Sequence, residues 1–214
     1  MATVRKWSNV AIAMQSALAA AKTLTAITIG ATATVTSTAH GYVNGDLVLI
    51  SAQGMRQVDG RIFRVASSTA NNFVLEGEDT SGYDAFGSGS AQLITFGTSI
   101  TTATTVNGSG GDFDFIDTTT IHGNAKTQIP GLANPATYSF ENIWDVSDAG
   151  LKAMKTASDA QAQRCFKFTF GVGGQVMLFN GYVGASLLPG GSAQDKVTTQ
   201  TTVTMFGSPT YYAS

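Results

Sequence analysis

The sequence predicts a mainly β fold with a minor α component: an antiparallel β-sandwich or half-barrel with one flanking α-helix, plus a small inserted β-barrel. Three observations predict it. Only 12% of the 214 residues are charged while 24 are Gly and 29 are Thr, a composition that favours strands and turns over a helical bundle. Apolar and polar residues alternate along most of the chain, whereas a helical stripe occurs once. The texture breaks near Ile27 and near Leu93, which sets off a stretch of short strands and tight turns. The expected domains are residues 1–26 together with 93–214, and an insert, 27–92. With 43% hydrophobic residues the chain can bury a substantial core.

Val10 to Ser16 alternates with the period of a strand, although its alanines also permit a helix. Arg5 and Lys6 precede an apolar stretch from Val10 to Ala21, as in a leader peptide. Gln15 and Ser16 interrupt that stretch, and it is too short to span a bilayer, so neither a leader nor a membrane partner is expected. Thr32 to Ala39 alternates again and is broken by His40 and Gly41. Asn44-Gly45 turns into Leu47 to Ile50, Gly54 and Asp59-Gly60 bracket a turn before Arg61 to Ala66, and Asn71-Asn72 precedes Phe73 to Leu75. The loop Asp79 to Ser90 closes this unit.

From Thr95 to Thr105 the chain is Thr-rich and uncharged, and Asn107 to Gly111 leads to the acidic and aromatic run Asp112 to Asp117. Two strands joined by a long flexible loop, Val106 to Asp117, are expected here. Pro130 and Pro135 bound a turn, and Thr137 to Trp144 alternates, with Tyr138 and Phe140 facing one way. Ser147 is placed to cap a helix from Asp148 to about Gln163. Leu151, Met154 and Ala157 or Ser158 fall on its one apolar face, which should pack beside Trp144 and Phe166. Cys165 to Phe170, Gln175 to Ala185 and Lys196 to Phe206, separated by glycine turns, read as an antiparallel meander.

Twelve basic against fourteen acidic residues give a net charge of -2, so the chain lacks the electrostatic footprint of a protein that grips nucleic acid. The single cysteine, Cys165, allows no internal disulfide, suits a reducing compartment and reads as a buried thiol. His40 and His122 are isolated, so no metal site is expected. Gly110 to Asp112 with Asp114 and Asp117 has a faint likeness to a calcium loop but occurs once. The Gly171 to Gly174 turn carries no nucleophile, and the glycine clusters join strands instead of opening a helix. No catalytic residue, cofactor or enzyme activity is expected.

Thr137 to Trp144, the helix with Gly150-Leu-Lys-Ala-Met154, Phe166 to Phe170, Gly173-Gly174, Gln175 to Val183 with its Gly-Tyr-Val, and the Thr-rich Val197 to Phe206 follow one another in a telling order. That order resembles the tail tube proteins of long-tailed, siphovirus-type bacteriophages, over roughly residues 93–214 and the strand at Val10 to Ser16. Within the insert, His40 to Asp46, Gly54-Met55, Val58 to Val65, Asn71 to Gly77 and Gly82-Tyr83 resemble a barrel module of phage structural proteins. That module is similar to the first catalytic-cysteine half-domain of ubiquitin-activating enzymes. The insert has no cysteine, so only the scaffold is implied.

The resemblance implies a structural virion protein whose hexameric rings stack into a conduit for DNA. Its partners would be further copies of itself and other tail proteins: tape measure, terminator and tail tip. DNA would pass only as a non-specific transit through the lumen. The protein would reside in the phage tail, and in the host cytoplasm during assembly. Alternation in Val197 to Thr204 sends Thr198, Gln200, Thr202 and Thr204 to one face, the candidate pore face. Gly108, Gly110, Gly111, Asp112, Asp114 and Asp117 form a candidate loop between rings, with the N-terminal arm and Pro209 to Tyr212 as further candidates. The insert is expected outside the tube. A tail terminator, a tail-tip protein or a carbohydrate-binding module are the alternatives.

Overall fold

A computed structural model describes residues 7–171 and 173–213 of the chain. Arg5, Lys6 and the rest of the N-terminal arm before Trp7, together with Val172 in the predicted turn, lie outside the described residues. In chain order the strands are β1 (Val10–Met14), β2 (Ala17–Leu18), β3 (Lys22–Leu24), β4 (Ala26–Ile27), β5 (Thr34–Thr36), β6 (Leu47–Gln53), β7 (Ile62–Ala66), β8 (Asn72–Leu75) and β9 (Ser88–Thr95). There follow β10 (Thr98–Ser99), β11 (Ala103–Ser109), β12 (Phe113–Asp117), β13 (Gln128–Ala133) and β14 (Thr137–Ile143). The helix α1 (Ala149–Asp159) precedes β15 (Gln163–Phe170), β16 (Val176–Ala185) and β17 (Thr198–Tyr212). The molecule is thus mainly β, with an antiparallel half-barrel and one helix.

The larger sheet has seven strands in the order β10, β1, β15, β16, β17, β14, β11. It curls around an aromatic core. Phe140, Phe166, Phe168 and Phe179 are essentially excluded from solvent and Tyr138 packs on them. Phe166 stacks on Phe179 at 5.3 Å, and Phe168 meets Phe179 edge-on at the same distance, pairings that each add about 0.5–1.5 kcal/mol beyond burial. Helix α1 closes this core with Met154 and Ala157, and Leu151 is 1% exposed. Trp144 is half-buried and donates its indole N–H to the Leu187 carbonyl at 2.9 Å.

The helix differs from expectation at both ends. Asp148, and not Ser147, is the N-cap, and its carboxylate accepts from the Leu151 N–H at 2.8 Å. Ser147 is diverted, because its hydroxyl and amide both donate to Asp145 Oδ1. At the other end Gln161 adopts a left-handed φ of 49°. Its N–H bonds the Ser158 carbonyl and the Ala162 N–H reaches back to Ala157, a paired closure that stops the helix short of Gln163.

The second sheet runs β2, β9, β6, β7, β8, β5, β4, with β3 also on β9. Because β3 and β4 are nearly continuous, residues 22–27 pair with β9 at one end of the path and β5 at the other, and the sheet closes on itself. It reaches from Ala17 to Thr95, so it recruits residues ahead of Ile27 that the break in texture had left outside. Val35, Val48, Ile50, Phe63, Phe73 and Leu75 fill its interior. Among the described residues it shares no strand pair with the larger sheet.

A third cluster joins the two sheets: Ile62 and Ile94 from the second meet Cys165, Leu178 and Tyr212 from the first. The Tyr212 hydroxyl accepts from the Arg64 N–H at 2.8 Å, and the Arg64 guanidinium lies 4.5 Å above its ring. Gly60, at φ 68°, has its would-be Cβ position 2.3 Å from the Phe206 ring. Any side chain there would collide with that ring and force it to move.

Three further expectations are corrected. Strand β17 runs to Tyr212 and does not end at Phe206. The register passes from Asn180 opposite Phe206 to Leu178 opposite Thr210, so a bulge absorbs Gly207 to Pro209, where the missing proline N–H forfeits no ladder bond. The stretch expected to be a long flexible loop, Val106 to Asp117, is mostly strand: β11 continues to Ser109 against β14, and β12 pairs with β13 in a separate two-stranded ribbon. Only Gly110, whose added Cβ would lie 2.5 Å from the Pro135 carbonyl, and Gly111 turn the chain, both at positive φ. Pro130 lies inside β13, not in a turn, and is tolerated because the ribbon's edges are open.

Candidate functional site

Along β17 the residues Thr199, Thr201, Val203 and Met205 are buried toward the helix side, and Thr201 accepts a hydrogen bond from Asn142 Nδ2 at 3.0 Å. Thr198, Gln200, Thr202 and Thr204 occupy the opposite face, Gln200 exposed and the threonines partly so. Residues directly across a ladder share a face, which adds Ile143, Glu141, Ser139 and Thr137 from β14, and Gly184 and Tyr182 from β16. The result is a largely polar surface that carries the Glu141 carboxylate and one exposed aliphatic side chain, Ile143. Lys155 lies at its rim beside Gln200 and Thr202, where it is paired to Asp159.

The same face continues along β17 to Phe206, which seats against Gly60. The second sheet therefore stands on the same side of this strand as the candidate pore face. At about 3.3 Å per residue, Phe206 is about 13 Å along the strand from Thr202.

The candidate loop residues divide between β11, the turn and the ribbon. Gly108 is on β11, Gly110 and Gly111 make the turn with Asp112, and Asp114 and Asp117 are on β12. Asp114 accepts from Asn134 Nδ2 at 3.0 Å. Hydrogen bonds from Thr119, side chain and backbone, hold the exposed Asp117 carboxyl below its ordinary value. What sequence reasoning missed is the apolar surface of this ribbon. Phe113, Phe115, Ile116, Ile129 and Leu132 are all at least half exposed. The alternation of Phe113, Asp114 and Phe115 was the available signal, but the adjacent glycines made it read as a loop.

Among the described residues no group of three or more His, Cys, Asp or Glu is placed to hold a metal. His40 is buried and accepts the Tyr42 N–H on Nδ1 at 3.0 Å, whereas His122 is exposed on the ribbon's connection. Burial pushes the Cys165 thiol up to about 12, which makes it a poor nucleophile near neutral pH. Among the described residues no helix is long and apolar enough to cross a membrane.

The surfaces this chain offers are thus a weakly charged strand face, open sheet edges and an apolar ribbon, all features of assembly. A comparison with curated proteins gives no match. A comparison with protein families does: residues 53–214, most of the chain, match the phage tail tube proteins. The match begins within β6 and so takes in strands of the second sheet as well as the larger sheet from β10 onward. The chain belongs to the phage tail tube protein family, a structural family of the virion tail.

Proposed function

We propose that this protein forms hexameric rings that stack into the tail tube of a long-tailed, siphovirus-type phage and conduct DNA on ejection. The observation that carries the reading is the seven-stranded sheet whose terminal strands, β10 and β11, have edges without a strand partner among the described residues, beside a largely polar, weakly charged outer face. Open edges satisfy their backbone groups by pairing with a neighbour. A wall without free cations lets phosphates pass without counterion-releasing contacts. Thr198, Gln200, Thr202 and Thr204 face the lumen in this arrangement, and the ribbon that begins at Gly110 contacts the adjacent ring. The tape measure, terminator and tail-tip proteins would meet the ends of the tube, and assembly would take place in the host cytoplasm.

Residues 27–92 act as an inserted barrel domain in this reading, with the scaffold of the ubiquitin-activating half-domain and none of its chemistry. Since that barrel shares a side of β17 with Thr202, it must stand clear of the bore, past the end of the lumen-facing stretch. Electron microscopy of the purified protein is the direct test. Sixfold rings or stacked tubes are expected. A chain that stays monomeric at every concentration refutes the reading.

A further inference from the structure

The two ends of the seven-stranded sheet, β10 and β11, are joined directly through residues 100–102, so the curl brings β1 and β11 to face each other. Strand β10 covers β1 only at Ala13 and Met14, with one further bond from the Ile100 N–H to the Ile12 carbonyl. What is left is a slot of about 660 Å³ between Val10 to Ile12 on one wall and Ala103 to Asn107 on the other. Trp7 stands at its rim, held against Phe170 at 5.6 Å. Among the described residues no charged side chain lines the slot. Strand β11 is the last in the sheet order, so one of its edges has no strand partner among the described residues.

The ribbon has the complementary properties. Its roughly twenty residues hold six of the sixteen large hydrophobic side chains that the described chain exposes: Phe113, Phe115, Ile116, Ile121, Ile129 and Leu132. Among the described residues strand β12 is paired only to β13, which leaves its other edge without a strand partner there. Along β12 the alternation puts Phe113 and Phe115 on one side, with Asp117 at its far end, and Asp114 and Ile116 on the other. Solitary two-stranded ribbons are marginal in water unless their apolar side is covered.

We propose that β12 of a second copy of this chain enters the slot between β1 and β11 by strand addition, with Phe113 and Phe115 in the apolar trough. This assigns the ribbon an acceptor and rests on the assembly proposed above. Main-chain bonds to the open edge of β11 supply affinity, and the two phenyl groups supply register. Asp114, on the opposite side of the strand, stays in water.

The test mixes two single-cysteine variants, Phe115→Cys and Thr105→Cys, under assembly conditions, oxidises them and identifies linked peptides by mass spectrometry. Both positions are exposed, and the native Cys165 is buried. A disulfide between positions 105 and 115 is necessarily between molecules. It is expected in the assembled fraction, and is expected to be lost when Asp79→Cys replaces Thr105→Cys. The variant Phe115→Asp should keep the monomer's thermal midpoint, since the side chain is 63% exposed, yet lose assembly. Tubes without the 105–115 link, or tubes formed normally by Phe115→Asp, overturn the slot while leaving the tube reading intact. Monomers without any link overturn both. A link from Val4→Cys to Thr105→Cys in place of the ribbon's would assign the slot to the chain's own N-terminal segment and overturn the proposal.

Discussion

Tyr212 is the place to test how the two sheets depend on each other. In Tyr212→Phe the ring remains and the Arg64 N–H loses its 2.8 Å acceptor, which costs about 1–3 kcal/mol for a donor left unpaired in a partly buried seam. Tyr212→Ala also removes a ring that is 8% exposed and packed with Ile62 and Leu178, raising the cost to about 3–5 kcal/mol. For a chain of this size each kcal/mol moves the midpoint by about 2–4 °C, so the alanine variant should melt about 6–20 °C below the parent. Urea unfolding followed by tryptophan fluorescence reports on the larger sheet, against which Trp7 and Trp144 both lie. Proteolysis in the loop Asp79 to Ser90 reports on the second. In the parent the two transitions should coincide, and in Tyr212→Ala the second sheet should open first. Coincident transitions with a loss below about 1 kcal/mol would refute the view that this seam couples the sheets. Burial holds the Tyr212 hydroxyl up at about 12 against an ordinary 10. Its contribution is therefore complete below pH 10 and is lost as pH rises from about 10 to 12.

Leu151→Asp places a carboxylate at a site 1% exposed, and soluble expression or ring formation should be abolished; normal tubes would show that the helix face is not structural. Cys165 should resist thiol reagents at pH 8 in the native protein and react at once in denaturant, a difference read by mass shift. Thr202→Lys should leave tubes intact but slow DNA delivery most at low salt, where phosphate attraction is least screened, and unchanged delivery at every salt concentration would turn this face outward. A label on Asp79→Cys should react in intact virions, whereas reaction only after tail breakage would place the second sheet inside.

Alternation in Thr137 to Trp144 and in Val197 to Thr204 was enough to assign strands, because one face of each is buried and the period of two is then enforced by packing. The helix was legible from Leu151 and Met154, but its ends were not. Ser147 and Asp148 are both good caps, and only the competing Asp145 turn decides between them. The ribbon escaped notice because its hydrophobic residues are not buried within the chain, so periodicity had no core to point at. The continuation of β17 past Pro209 escaped for the opposite reason: a bulge hides a proline that sequence reading takes as a stop. The seam among Ile62, Cys165 and Tyr212 joins residues up to 150 positions apart, and no local pattern carries such information.

Strand β17 lies in the middle of its sheet, between β16 and β14, although it follows both of them in the chain. Until residues 198–212 leave the ribosome, the growing protein holds two half-sheets with no strand between them, and the second sheet has no Phe206 or Tyr212 to rest on. Synthesis therefore delivers the keystone after the strands it joins. A chain that stops short of residue 198 lacks the strand that bridges the half-sheets and bears Phe206 and Tyr212, so both the larger sheet and its seam with the second sheet stay incomplete.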